Sequence, residues 1–264
     1  MHLLITPQMH NRVITILFGM LLTVCLPADA RHIGIHSHND YDREHPFFDA
    51  YKAHAASIEA DVFLVDGELY VAHDREDIRS WRTLRNLYLD PIRQLFRANG
   101  GAGYADGSTY QLIVDLKDGR ESLLALQRMI EEEYAECFDT EHNPRAITLT
   151  VSGDLIPAEH FADYPDFIKH DGRVGRTYTQ QQLKHVSVIS QDLRKFFSWD
   201  GERDLTKAEI DSLRTAARDV HRMGKKIRFW AMPDSPKAWQ LAKHLRLDFI
   251  NTDNPAKVRV WLNK

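Results

Sequence analysis

Short apolar runs alternate with longer amphipathic stretches along most of this chain. The runs predict strands at Ile33–Ser37, Ser57–Val65, Leu69–His73, Gln111–Lys117, Ala146–Val151, Phe167–His170, Val186–Ser190, Ile227–Met232 and Phe249–Asn251. The stretches predict helices at Pro46–Ala56, Ser80–Arg97, Glu121–Glu136, Leu155–Phe161, Gln180–Lys184, Leu205–Met223 and Pro236–Leu245. Two of these helices announce their starts. Thr206-Lys207-Ala208-Glu209 reads as a capping box, and Ser235-Pro236 as an N-cap followed by proline at the first helical position.

Repeated strand–helix alternation calls for a parallel sheet covered by helices. An open doubly wound sheet would usually follow its first strand with a Gly-rich loop, and none occurs here. Polar residues gather instead where many strands end: His36 and His38, Glu59 and Asp61, Asp115 and Lys117, Ser152, Asp171, Trp230 and Asp253. Collecting groups from several strand ends is what the mouth of a barrel does. The expected fold is α/β, a (β/α)8 TIM barrel with a closed parallel sheet and outer helices.

Charge and composition narrow the partners. A net charge of −4 with no polybasic run argues against nucleic acid and against an anionic membrane surface. The N-terminus reads differently from the rest. Arg12, the apolar run Val13–Leu26 and Pro27-Ala28-Asp29-Ala30 resemble a secretory signal peptide. The run falls short of the roughly 20 apolar residues a membrane span needs. Residues 1–30 are therefore expected to be a removed signal and residues 31–264 a single domain, exported to the periplasm or beyond. A lipid anchor at Cys25 is the lesser option. Only Cys137 would remain, so no internal disulfide is expected. A monomer without an integral membrane span is the expectation.

The candidate chemistry lies in HSHNDY and SIEADVFLVDGELYVAHD. A strand turns alternate side chains to opposite faces, so Glu59 and Asp61 point the same way. Two inward carboxylates are costly to desolvate unless a positive group joins them. Asp115, again followed two positions later by Lys117, is a plausible third ligand. Three hard oxygen donors favour one divalent cation, Mg2+ or Ca2+, over zinc. His38 and His73 are histidines able to move protons near neutral pH. His36 reads either as a substrate contact or as a packed neighbour, and Trp230 either as a substrate contact or as a filler of the barrel. Such a site suits an anionic substrate whose transition state gains charge, as a phosphodiester does.

Four blocks, Ile35-His36-Ser37-His38-Asn39-Asp40, Ser57-Ile58-Glu59-Ala60-Asp61-Val62, Val71-Ala72-His73-Asp74 and Asp115-Leu116-Lys117, resemble the glycerophosphodiester phosphodiesterase superfamily. That superfamily includes the phosphatidylinositol-specific phospholipases C. Arg228-Phe229-Trp230-Ala231 and Leu247 to Pro255 are similar to its closing two strands, and HSHNDY is most similar to its altered-inheritance-of-mitochondria branch. The resemblance implies a TIM-barrel phosphodiesterase with Glu59, Asp61 and Asp115 as metal ligands and His38 and His73 as catalytic histidines. It also implies Lys117 as a basic residue at the reaction centre and Trp230 near a glycerophosphodiester or phospholipid. The superfamily's first block begins His-Arg-Gly, whereas His38 is followed by Asn39, so an arginine for phosphate is missing there. Alternatives are a barrel that binds a phosphorylated ligand without turnover, or a lyase that yields a cyclic phosphate. Phe196, Phe197 and Trp199 form either an apolar shelf for an acyl group or packing beneath a loop.

Overall fold

Between Ser57 and Val62 apolar and acidic positions alternate, and the first half of the sheet is arranged around that stretch. The computed structural model describes residues 33–153 and 156–264. Nine strands form one sheet: β1 (Gly34–Ser37), β2 (Ser57–Val65), β3 (Glu68–Val71), β4 (Gln111–Leu116), β5 (Thr148–Gly153), β6 (Ile168–Arg173), β7 (Val186–Asp192), β8 (Lys226–Trp230) and β9 (Phe249–Thr252). Their order is β8-β7-β6-β5-β4-β2-β1-β9, parallel at every step, with β3 hydrogen-bonded antiparallel to β2 alone. β8 and β9 meet without a ladder. There the Asp248 N–H donates to the Ile227 carbonyl at 3.2 Å, and the Asp248 carboxylate accepts the Ile227 N–H at 2.8 Å. The result is a nearly closed, eight-stranded parallel barrel with helices around it, as the alternation predicted.

The core has two parts. Ile35, Ile58, Ala60, Leu112 and Val114 turn outward and pack under the helices. Ile113, Val188 and Phe249 form a small separate cluster. They share the facing of Asp115, Ser190 and Asn251, so they fill the barrel interior and carry the polar residues of the mouth above them.

The strands lie where they were expected to within a few residues, and the helices depart in instructive ways. The helix expected at Pro46–Ala56 is only Phe48–Lys52, bounded by positive φ at Phe47 and His54. The one expected from Ser80 starts at Arg85, because Arg82 and Thr83 pair with β3 through Val71 and Tyr70. Ala158–Asp163 is a 3-10 turn rather than the expected helix, whose start at Leu155 lies outside the described residues. Pro255–Leu262 is a helix the periodicity reading passed over, although Asn254 caps it and proline follows at its first position. Phe196, Phe197 and Trp199 prove to be packing rather than a shelf. Trp199 is buried with its Nε1–H on the Arg203 carbonyl, and Phe196 meets Phe229 edge-on at 5.5 Å. No helix among the described residues is long and apolar enough to cross a membrane.

Candidate active site

Parallel pairing in register brings Asp61 directly opposite Asp115, and Asp115 opposite Ser152. With Glu59 one layer below, the three carboxylates each offer an oxygen within 4.8 Å of the others. Gly153 lets β5 close on this cluster. It sits at φ 84°, and a Cβ there would fall 2.7 Å from Asp115 Oδ1.

Each carboxylate is held through one oxygen. Glu59 Oε2 accepts from His36 Nε2–H at 2.7 Å and from Arg228 Nη1 at 3.0 Å. Asp61 Oδ2 receives the Tyr41 hydroxyl (2.9 Å), Lys117 Nζ (2.8 Å) and His73 Nδ1 (3.2 Å). Asp115 Oδ1 receives Lys117 Nζ at 2.9 Å. Among the described residues the remaining oxygens, Glu59 Oε1, Asp61 Oδ1 and Asp115 Oδ2, have no hydrogen-bond partner. Three anchored carboxylates that meet within 4.8 Å, each with an oxygen left over, fit a divalent cation. The electrostatics agree. Burial and the charge of Glu59 push Asp61 above its usual range. Burial, Asp61 and Glu59 push Asp115 up to about 6 against the pull of Lys117. Burial also penalises the Glu59 carboxylate, yet Arg228 and His36 hold it below the usual range.

The two neighbouring histidines of β1 and its end are unlike. His36, read above as either a substrate contact or a packed neighbour, stands as the second: it is fully buried, with Nδ1 accepting from Ser57 Oγ at 2.7 Å and Nε2 spent on Glu59. Burial first, then Arg228, drops its pKa to about 3, so it braces Glu59 as a neutral ring. His38 reaches the mouth. Its Nδ1–H donates to Asp253 Oδ1 at 2.7 Å. Burial lowers its pKa, but Asp253 and Glu59 outweigh this and leave it raised. His73 is exposed and stands two residues past β3, beside the Tyr41 hydroxyl at 3.1 Å. The loop after β1 is fixed from below by buried Asp40, which accepts from Ser37 Oγ, the Phe47 N–H and the Tyr88 hydroxyl.

The structure thus brings together Glu59, Asp61, Asp115, Lys117 and His73, with His38 and Trp230 also at the mouth. Sequence reasoning missed the roles of Tyr41, Asp253, Arg228, Asp171 and Arg173. Tyr41 lies within HSHNDY, and Asp171 and Asp253, already noted among the strand-end polar residues, stand two residues before the end of β6 and just past β9, so the parity of inward positions was the available signal.

The chain is an eight-stranded α/β barrel with an acidic cluster and two histidines at its mouth. A solved glycerophosphodiester phosphodiesterase from Parabacteroides distasonis shares that fold. It has a TM-score of 0.53 and 18% identity, covering 88% of this chain and 97% of that one. A family profile for the AIM6-like phosphodiesterase domain matches residues 25–159, just over half of the chain, and the chain belongs to that family. An altered inheritance of mitochondria protein 6 homolog from Arthroderma benhamiae is 26% identical over 238 residues, covering 77% of this chain and 74% of its own length. Altered inheritance of mitochondria protein 6 from Lachancea thermotolerans is 29% identical over 286 residues, covering 85% of this chain and 64% of its own length. These relatives correct the expectation of export. They are fungal proteins named for the inheritance of mitochondria, which points to a cellular protein rather than an exported one. The signal-like residues 1–30 lie outside the described residues.

Proposed function

We propose that this chain cleaves phosphodiester bonds at a divalent cation, acting as a monomer on a small phosphodiester or phospholipid. The observation that carries this reading is the meeting of Glu59, Asp61 and Asp115, each with an uncommitted oxygen, beside His73 and His38. Mg2+ or Ca2+ bound there would supply Lewis-acid polarisation of a phosphoryl oxygen.

The tie to Asp253 fixes the His38 tautomer, so Nε2 carries the lone pair that faces the mouth. His38 Nε2 takes the proton of the attacking water or hydroxyl, or itself attacks phosphorus to give a phosphohistidine that water then cleaves, freeing the phosphomonoester and the imidazole. His73 in its protonated form gives the Nε2 proton to the leaving alkoxide oxygen as the P–O bond breaks. Asp61 and Tyr41 hold its other nitrogen. Such a proton transfer contributes about 10²–10⁴-fold. Lys117 offsets negative charge beside Asp61 and Asp115, and Trp230, at the end of β8 beside Arg173, walls another side of the mouth. Where the alcohol portion carries a neighbouring hydroxyl, that hydroxyl attacks and the product is a cyclic phosphate.

The test is release of p-nitrophenol from bis-p-nitrophenyl phosphate. Chelation should stop it, and Mg2+ or Ca2+ should restore it. Asp61→Asn should abolish it in folded protein, whereas His73→Ala should abolish cleavage of an alkyl diester and largely spare this one, because p-nitrophenolate leaves without an acid. Turnover that persists after chelation would sink the cation reading. Tight binding of a phosphorylated ligand without product would leave a barrel that binds but does not react.

A further inference from the structure

β6 and β8 place another cationic group at the mouth that the reaction above does not use. Arg173 is the last residue of β6 and shares the inward facing of buried Asp171. Its register neighbour is Ser190, which is itself opposite Arg228. All its guanidinium hydrogen bonds run through Nη1: to Asp171 Oδ2 at 2.9 Å, to the carbonyls of Gly172 (3.0 Å) and Asp171 (3.3 Å), and to Ser190 Oγ (3.4 Å). Its guanidinium carbon lies 5.0 Å from the centroid of the Trp230 ring. Nη2 and Nε have no protein partner among the described residues, and the side chain is 18% exposed.

The support beneath is rigid. Asp171 accepts from Ser152 Oγ and Ser190 Oγ, and Arg228 Nη2 lies 3.6 Å away. The backbone is pinned too, since the Arg173 N–H donates to the Tyr178 hydroxyl at 2.7 Å. A guanidinium fixed along one edge, seated on an aromatic ring and open along the other is a pre-organised oxyanion receptor. β6 stands three places from β2 in the strand order, so this receptor occupies a different wall from the acidic cluster.

We propose that Arg173 binds a second anionic group on the substrate's alcohol portion, a phosphate-monoester or carboxylate oxygen separate from the diester being cleaved. The enzyme then selects substrates that carry that additional charge. This deepens the phosphodiesterase reading and rests on it, but its test does not need turnover. Propane-1,3-diyl bisphosphate and propyl phosphate are titrated calorimetrically, with Mg2+ present, into wild type, Arg173→Met and Arg173→Lys. Wild type should prefer the bisphosphate by about tenfold. Arg173→Met should erase the preference while leaving propyl phosphate binding unchanged. Arg173→Lys keeps the ion pair but loses the fork, so the preference should fall about threefold; this variant decides the matter if Arg173→Met does not fold. A preference that survives in both variants, or is missing in wild type, overturns the proposal. So does an equal loss for both ligands, which would put Arg173 on the phosphate they share. A preference that tracks Arg173 in a protein that turns over no diester keeps the subsite and removes the reaction.

Discussion

Asp253 governs the pH at which His38 can act. Burial alone would drag the imidazolium down, and the Asp253 hydrogen bond with the Glu59 charge more than recovers it. Asp253→Asn keeps the size and removes the charge, so the His38 pKa falls. With His38 as proton acceptor, the acidic limb of kcat/KM should move to lower pH in that variant. A limb that stays in place would assign it to another group. The contrast with His36 shows where reading from sequence stops. Strand parity puts both histidines on the inward face, yet it carries no information about depth. Depth comes from Arg228, which closes over His36 and Glu59 from far along the chain. Glu59 and Asp61 were legible because they stand two residues apart on one strand, and Asp115 because Lys117 follows it at the same spacing. Asp171 and Arg173 were not, because their meaning depends on which strands become neighbours.

At the scale of elements, β6 holds an acid-sensitive group away from the mouth. The His170 ring is buried and stacks on Phe161 with centroids 3.9 Å apart, and its Nε2 has no partner among the described residues. Burial, helped by His185, lowers its pKa from 6.5 to about 3. The unfolded chain therefore binds this proton first as pH falls. The stabilisation from the neutral ring is complete above about pH 6.5 and is lost progressively towards pH 3, by up to a few kcal/mol. Urea titrations at several pH values should show His170→Leu losing less stability than wild type between pH 6 and 4. Equal slopes would mean that the ring is hydrated. Periodicity served strands better than helices for a related reason. Strand positions follow from local alternation, whereas the start at Arg85 depended on β3 taking the backbone of Arg82 and Thr83.

Taken whole, the molecule keeps its least stable charge arrangement at the mouth, and a cation should relieve it. Asp61 and Asp115 are both pushed upward by burial and by neighbouring carboxylates. Mg2+ at a hundred times its dissociation constant would stabilise the fold by about 3 kcal/mol, a rise of several degrees in Tm for a barrel of this size. Protons compete for the same oxygens, so the rise should shrink as pH falls through about 6, where Asp115 titrates. Thermal melts with and without Mg2+ at pH 7.5 and 5.5 would check this. An equal rise at both pH values would place the ion elsewhere.

The unladdered junction between β8 and β9 makes the barrel a sheet with two edges fastened by a clasp. Every other neighbouring pair shares a ladder, but here one backbone bond, the Asp248 carboxylate, itself 2.8 Å from His221 Nε2, and the side chains of Asp234 and Arg228 reaching to Thr252 and Glu59 hold the ring shut. His38 belongs to the β9-β1-β2 side of that junction, and Arg173 and Trp230 to the β6-β7-β8 side. Unfastening it would part the two halves of the mouth before either half unravels. Amide exchange should therefore run faster at Ile227 and Asp248 than at Leu112–Val114 on β4, and Asp248→Ala should widen the gap. Uniform protection around the ring would show that the junction is as firm as the ladders.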